Sequence, residues 1–504
     1  KWECIKDEYV HIVEYSSRYC EMDCIVLCNG YNRFQSLIWE VCDSLNIERL
    51  NLDHYLTAAS IADELVIRCG CFDDCVQLGG VVRAFIQRCL VGGRTMMANN
   101  TGSQHTNCDM ADFDAVSLYP SAMARLNGFL KGAPKLITTT DYDELCKMAN
   151  GFYVRAIVKS VGKHRAFPLL SYKNDDGIRM FSNDMVGQEV YLDDVAMADA
   201  IKFQDIDFEI IDGYMFNEGY NTGISSTIRT MFAARLKAKK AGNPVQEVIK
   251  LILNSAYGKC ALKEIVDEVK YVPVKEFNKH IVRHYNWIKE AVLTACGGYY
   301  RVKQVKAVSE HYNRVHLAIQ VLSMSKRIMN EVMCLGEDIG KKIYYQDTDS
   351  MHIMTEDVAP IVKAYKEVYG RDLEGSKMGQ FHTDFDLDAP SGGSCDNIHS
   401  KESIFLGKKC YIDTLSGTDP ATGKEVNNYH IRMKGVPTKS VLGECVRRGC
   451  SPVELYRILA SGETVEFDLL RDAQNKPCVR FQKTKTVTYK TVKEFKRAVS
   501  FTAI

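Results

Sequence analysis

The strand-like run Lys342-Ile343-Tyr344-Tyr345-Gln346 leads straight into Asp347-Thr348-Asp349 and resumes as Ser350-Met351-His352-Ile353-Met354. Two β-forming segments joined by so short a connection read as a tight hairpin with two acids at its tip. Carboxylates held this close repel each other unless a cation neutralises them, which favours hard divalent ions such as Mg2+. A solvated β-turn is the plain alternative, because Asp and Thr are common in turns.

A second acidic segment lies far upstream. Asp112-Phe113-Asp114 closes an apolar, strand-like stretch and precedes Ser117-Leu118-Tyr119-Pro120-Ser121, where a helix can begin. A carboxylate at a strand end beside a helix start can join the hairpin acids around a metal pair, and the backbone N–H groups beyond it can face a triphosphate. Tyr119 would then lie flat beneath an incoming sugar. Asp112 serves this reading as well as Asp114, and either can simply precede an ordinary helix.

Between these segments, helix-forming residues 225–241 stop at Gly242. Asn243-Pro244-Val245-Gln246 then offers an N-cap, a proline at N1 and a glutamine at N3, so an αα-hairpin is expected. On its second helix Lys250, Asn254 and Tyr257 fall at i, i+4 and i+7, while Val245, Val248, Ile249 and Ile252 make much of the apolar remainder. A lysine on such a face can grip a triphosphate as a point charge, with Tyr257 against a nascent base pair and Gly258 allowing close approach. Arg235, Lys237, Lys239 and Lys240 add cationic reach towards the same ligand; a solvated polar face is the alternative for both helices.

Net charge does not decide the ligand. Lys+Arg and Asp+Glu both total 64, so nucleic-acid binding has to come from local patches. With 504 residues and 46% hydrophobic content the chain can bury several domain cores. It has no apolar run of about 18 residues and no export or lipidation pattern, so a soluble intracellular protein is expected. The densest cysteine clusters, Cys20/Cys24/Cys28 and Cys69/Cys71/Cys75, lack paired CxxC spacing, and reduced, packed thiols are expected there. Residues 55–67, 314–335 and 452–460 read as helices, 150–215 as β-structure, and 263–310 as poorly periodic; the rest of the tail reads as β-like. The start at Lys1, without methionine, suggests a fragment or a processed product.

Taken in order, Asp114-Ala-Val-Ser-Leu-Tyr-Pro-Ser121, Lys250-Leu-Ile-Leu-Asn-Ser-Ala-Tyr-Gly258 and Tyr345-Gln-Asp-Thr-Asp-Ser350 closely resemble motifs A, B and C of family B DNA polymerases. Lys409-Cys410-Tyr411 is similar to the Lys-x-Tyr motif that holds the primer terminus. Lys434-Gly435-Val436 follows where the protein-primed branch continues, the branch of bacteriophages, eukaryotic viruses, virus-like transposons and linear plasmids. Tyr19-Cys-Glu-Met-Asp23 resembles the third motif of the family's 3′–5′ exonuclease, yet no Asp-x-Glu first motif precedes it. A largely removed proofreading domain is therefore expected. Leu90-Val91-Gly92-Gly93 stands where the family shows Tyr-x-Gly-Gly, a departure that bears on how a primer is shared between two sites.

The resemblance implies an α+β multidomain, right-hand polymerase with an antiparallel-sheet palm, helical-hairpin fingers and a small thumb. Its parts would be an exonuclease remnant at 1–30, a linker at 31–105, palm with a first terminal-protein-region-like insertion at 106–220, fingers at 221–262, a second such insertion at 263–310, palm at 311–425 and thumb at 426–504. The implied activity is DNA-templated addition of dNTPs to a primer 3′-hydroxyl in viral or mobile-element replication, with a capacity to start on a protein. Asp114, Asp347 and Asp349 would be catalytic, with two Mg2+ ions (or Mn2+) held by Asp114, Asp349 and the backbone carbonyl of Ala115. Ser117, Leu118, Tyr119, Lys250, Asn254, Tyr257 and one of Lys237, Lys239 or Lys240 would bind the dNTP, Tyr119 barring a 2′-hydroxyl. Gly92, Gly93, Arg94, Thr348, Lys409, Tyr411 and Lys434 would hold primer and template. Implied partners are template-primer DNA, dNTPs and a terminal priming protein. An RNA-templated polymerase usually has adjacent hairpin acids, whereas Thr348 separates them here. A catalytically inactive nucleic-acid-binding relative would have no need of all three acids and Lys250.

Overall fold

The computed structural model describes residues 5–6, 9–174, 177–263, 267–306, 313–469, 484–491 and 497–503. The strand periodicities assemble into a nine-stranded antiparallel sheet. Its main path runs Glu425–Met433, Cys410–Thr418, Asp396–Gly407, Met110–Ala115, Ser350–Met354, Ile343–Asp347, Thr95–Met97. Phe381–Thr383 also pairs with Met110–Ala115, and Gln104–Thr106 with Asp396–Gly407. Met110–Phe113 and Ile343–Gln346 are buried on both faces, which is why these central strands read as continuous rather than alternating apolar runs. Helix Val315–Asp338 is buried along most of its length and packs with Leu118–Arg125 and Asp194–Gln204. It fulfils the helix expected at 314–335.

The β-rich stretch after residue 150 forms a second, four-stranded antiparallel sheet: Glu189–Asp193, Gly151–Val161, Ile206–Phe216, Lys135–Leu136. It has its own core, with Phe152, Val154, Val158, Met197 and Ile210.

Helices Gly223–Lys240 and Val245–Ser255 form the expected αα-hairpin, and Gly242 at φ +65° makes the left-handed turn that ends the first. Asn243 Oδ1 accepts the Val245 N–H at 3.0 Å. The expected glutamine half of the cap does not form, because Gln246 turns to Glu247 instead. Val245, Val248, Ile249 and Ile252 are buried, and both helices pack on the 34-residue helix Ile12–Leu45. Helix Ala58–Arg68, expected at 55–67, supports the second of them.

Residues 267–305 depart from the expectation of poor periodicity. Strands Asp267–Pro273, Tyr299–Val305 and Ile288–Leu293 form a sheet in that order, and helix Val274–His284 stacks Phe277 on Tyr300 at 3.7 Å. Most of these side chains are solvated on both faces, so no alternation marks the strands. The expected palm–thumb boundary at 425/426 falls at the start of a strand. Strand Glu425–Met433 pairs along its whole length with Cys410–Thr418 and completes the central sheet. Helix Thr438–Arg448, the expected helix Pro452–Ala460 and a three-stranded sheet follow, and Leu455, Tyr456, Val465 and Phe467 share one core with Ile404, Ile412 and Ile431 of the central sheet.

The described cysteines are all free. Among the described residues no helix is long and apolar enough to cross a membrane.

Candidate active site

Strand register brings the three acids to one end of the central sheet. Ser350 pairs with Asp114 on one side and with Asp347 on the other. The Ala115 N–H donates to the Asp349 carbonyl at 2.9 Å, and the Asp349 N–H to the Asp347 carbonyl at 2.7 Å. Thr348 turns the tip at φ +64° and is held there by its N–H on the Arg94 carbonyl at 2.9 Å. Asp112, the other candidate, is buried one pleat deeper, 3.7 Å from His352. Only Asp114 stands at the sheet end.

The acids differ in their surroundings. Burial, then the charges of Asp349, Asp384 and Asp112, pushes Asp114 up to about 8. Burial also raises Asp349, against the help of its own backbone amide, and Asp347 adds to the effect. Asp347 itself has partners: Lys409 Nζ at 2.5 Å and Thr95 Oγ1 at 3.3 Å. The pair short of positive charge is therefore Asp114 and Asp349. That shortage suits divalent cations, with the Ala115 carbonyl on the same strand end. Among the described residues no group of three His, Cys, Asp or Glu side chains is arranged to hold a metal. Two carboxylates and a main-chain oxygen would need further oxygens from a ligand.

Beneath the acids lies a buried network that the sequence reading missed. His352 has Asp413 at 3.4 Å and Asp112 at 3.7 Å, and Asp413 also takes Ser403 at 2.7 Å and His430 at 3.1 Å. Burial alone would lower His352, but Asp413 and Asp112 outweigh it and hold the imidazole at about 9. A histidine inside an apolar strand was the available signal; its two acids arrive from distant strands.

On the nucleotide side, Ser117 caps its helix at φ +52° and accepts Arg235 Nη1 at 3.2 Å, while Leu118 is buried. The rings of Tyr119 and Tyr257 stack at 4.7 Å and 29°. Burial raises Tyr119, a hydrogen bond with Tyr257 opposes this, and the Asp349 charge adds to it. Lys250 and Asn254 are exposed, opposite the buried Val248, Ile249 and Ile252. Lys237, Lys239 and Lys240 are exposed as well. Of these, Lys239 acts on His382, the strand partner of Asp114; Asp384 raises His382, while burial and Lys239 oppose it.

Two of the expected primer contacts turn out to be internal. Arg94 is 3% exposed, and its guanidinium is spent on Gln346 at 2.5 Å, the carbonyls of Phe167 and Pro168 at 3.0 Å, and Asn330 at 3.1 Å. It braces the hairpin from behind. Tyr411, also 3% exposed, packs with Tyr345, His352 and Phe405 under the hairpin. Lys409 stands above this cluster, its N–H on the Tyr345 hydroxyl at 2.8 Å, and the N–H of exposed Lys434 reaches the Lys409 carbonyl at 2.9 Å. Gly93 serves the hairpin directly: a Cβ there would stand 2.5 Å from Thr348 Cγ2. Gly92 faces open space. Tyr19 and Asp23 lie on the exposed first half of helix Ile12–Leu45, without a metal-binding cluster among the described residues.

Comparison with solved structures gives the fold. Phi29 DNA polymerase in its orthorhombic crystal form is similar with a TM-score of 0.53 at 17% identity, over 77% of this chain and 62% of that one. The same polymerase complexed with primer-template DNA and incoming nucleotides gives 0.55 at 16% identity, over 89% and 67%. The chain thus has the right-hand polymerase fold and spans about three fifths of the first structure's length. A comparison with curated proteins finds no match. Residues 2–339 match the family model of DNA polymerase type B, organellar and viral, and with most of its length matched, the chain belongs to that family.

Proposed function

We propose that this chain is the polymerising part of a DNA-templated DNA polymerase that adds dNTPs to a primer 3′-hydroxyl and can also start on a protein hydroxyl. One observation carries the reading: neighbouring strands bring Asp114 and Asp349 together with no ion pair to either among the described residues, while Lys409 pairs with Asp347. Asp114, Asp349 and the Ala115 carbonyl would hold Mg2+. Bound there, the ions would neutralise charge on the attacking hydroxyl and on the departing pyrophosphate as the new P–O bond forms and the old one breaks. The protein's own work is positioning. Lys250 and Lys239 bind the triphosphate, and the backbone amides after Ser117 face it. Tyr119 lies beneath the sugar and bars a 2′-hydroxyl, and Tyr257, stacked on it, meets the nascent base pair. Lys409 keeps Asp347 neutralised and meets the primer end.

Protein priming is supported by the sheets formed within residues 135–216 and 267–305, which lie between motifs A and B and between motifs B and C, where the resemblance to the protein-primed branch implies insertions. An intracellular, reducing site of action agrees with the free described cysteines.

Primer extension on DNA and RNA templates, with dNTPs or rNTPs, tests the proposal. DNA-templated dNTP incorporation is expected, abolished by Asp349→Ala while DNA binding stays nearly intact. Retained incorporation by that variant removes the catalytic assignment, and preference for an RNA template replaces the template class. DNA binding without any incorporation by the unaltered chain turns the reading to an inactive replication factor.

A further inference from the structure

Between the four-stranded sheet and helix Val315–Asp338 lies a cavity of about 390 Å3, within the usual size of small-molecule sites. Four of its lining side chains are cationic: Arg88, Lys173, Arg179 and Lys326. The acids in its wall are engaged elsewhere, Glu189 with Arg155 at 3.3 Å, and Asp199 with Arg327 at 2.6 Å and Asn330 at 3.0 Å. Three of the cations have neutral hydrogen-bond partners. Arg88 donates to the Tyr191 hydroxyl at 2.6 Å, Arg179 to Ser171 Oγ at 2.9 Å and Lys326 to the Val91 carbonyl at 3.0 Å. Burial, only partly offset by Asp193, brings Lys326 down to about 8, and burial lowers Arg179 too. Lys326 and Arg179 are partly buried, Arg88 and Lys173 stand exposed at the rim, and four cations around one cavity favour an anion. Tyr172, with its ring 41% exposed, adds an aromatic surface.

We propose that this cavity binds a small phosphorylated ligand, inorganic pyrophosphate or a nucleoside monophosphate, at a site separate from the acid cluster. Arginine offers a planar fork to phosphate oxygens, lysine a mobile point charge, and Ser171 a hydroxyl. Lys326 links this site to the hairpin. It holds the carbonyl of Val91, two residues before Gly93, which packs on Thr348. A ligand that draws the ammonium away from Val91 frees this loop, so occupancy reaches the hairpin tip.

The test is isothermal titration of the full chain with pyrophosphate and with AMP, in EDTA so that no divalent cation draws either ligand to Asp114 and Asp349. One-to-one binding is expected, weakened about tenfold or more by Arg179→Gln and by Lys326→Met and unchanged by Lys250→Ala. Tighter binding of AMP would assign Tyr172 to the base; tighter binding of pyrophosphate would assign the free anion. No uptake of either ligand, uptake indifferent to both cavity substitutions, or uptake lost in Lys250→Ala overturns the proposal. So does a short DNA duplex that binds through Arg179 when neither small ligand binds. Should Lys326→Met fail to fold, Arg179→Gln decides, since Arg179 lies in a separate two-stranded hairpin.

Discussion

Lys409 Nζ lies 2.5 Å from the Asp347 carboxylate, so one of the three clustered acids already has its counter-ion within the protein. This division leaves Asp114 and Asp349 without that ammonium and makes Lys409 part of the cluster's electrostatics.

Lys409→Met therefore exposes Asp349 to an uncompensated Asp347. Primer extension is expected to fall about tenfold or more. Because the lysine is 43% exposed, the melting temperature should hardly move. Extension at the unaltered rate would show that the pair is idle.

Asp114 carries a folded-state value of about 8 against roughly 3.9 unfolded. A raised carboxyl favours the protonated native state, so without divalent cations stability falls as pH climbs from about 4 to about 8, with the full penalty above that. Asp114→Asn should abolish this slope, melting higher than the parent at pH 9 in EDTA and alike near pH 4. Mg2+ should raise the parent's melting temperature at high pH and leave the variant's unchanged. Parallel melting curves across the pH range would refute the uncompensated pair.

His352 titrates in the opposite sense. Its folded value of about 9 exceeds roughly 6.5 unfolded, so its ion pairs with Asp413 and Asp112 stabilise fully below pH 6.5 and are lost as pH rises through 9. His352→Gln should be less stable than the parent at pH 6, with the gap narrowing by pH 9.5. A gap independent of pH would mean that packing alone sets the effect.

Arg94→Met removes hydrogen bonds to four buried or main-chain acceptors. A loss on the order of 3–5 kcal/mol is expected in urea unfolding, as when one partner leaves a buried polar network. If stability is kept and only DNA affinity drops, Arg94 contacts DNA after all.

Tyr119 rests on Tyr257 at 4.7 Å. Tyr119→Val should open space beside the sugar, raising ribonucleotide incorporation relative to dNTP about tenfold or more. An unchanged ratio would relocate the sugar discrimination.

Much of this molecule is written in short-range pattern. The acid-tipped hairpin, the strand ending at Asp114 and the helix bearing Lys250 and Asn254 each rest on periodicity, turn chemistry or capping within about a dozen residues. Their order along the chain sufficed to point to the family. Tertiary structure decided what depends on partners far away in sequence. It buried Asp112 against His352, gave Asp347 to Lys409, and turned Arg94 and Tyr411 inward. It also built a sheet at 267–305 from solvated strands without alternation. Local pattern specifies backbone form and which face is apolar. A side chain's charge state and contacts are set by whichever distant strand lies opposite, and that is fixed only when the sheet closes.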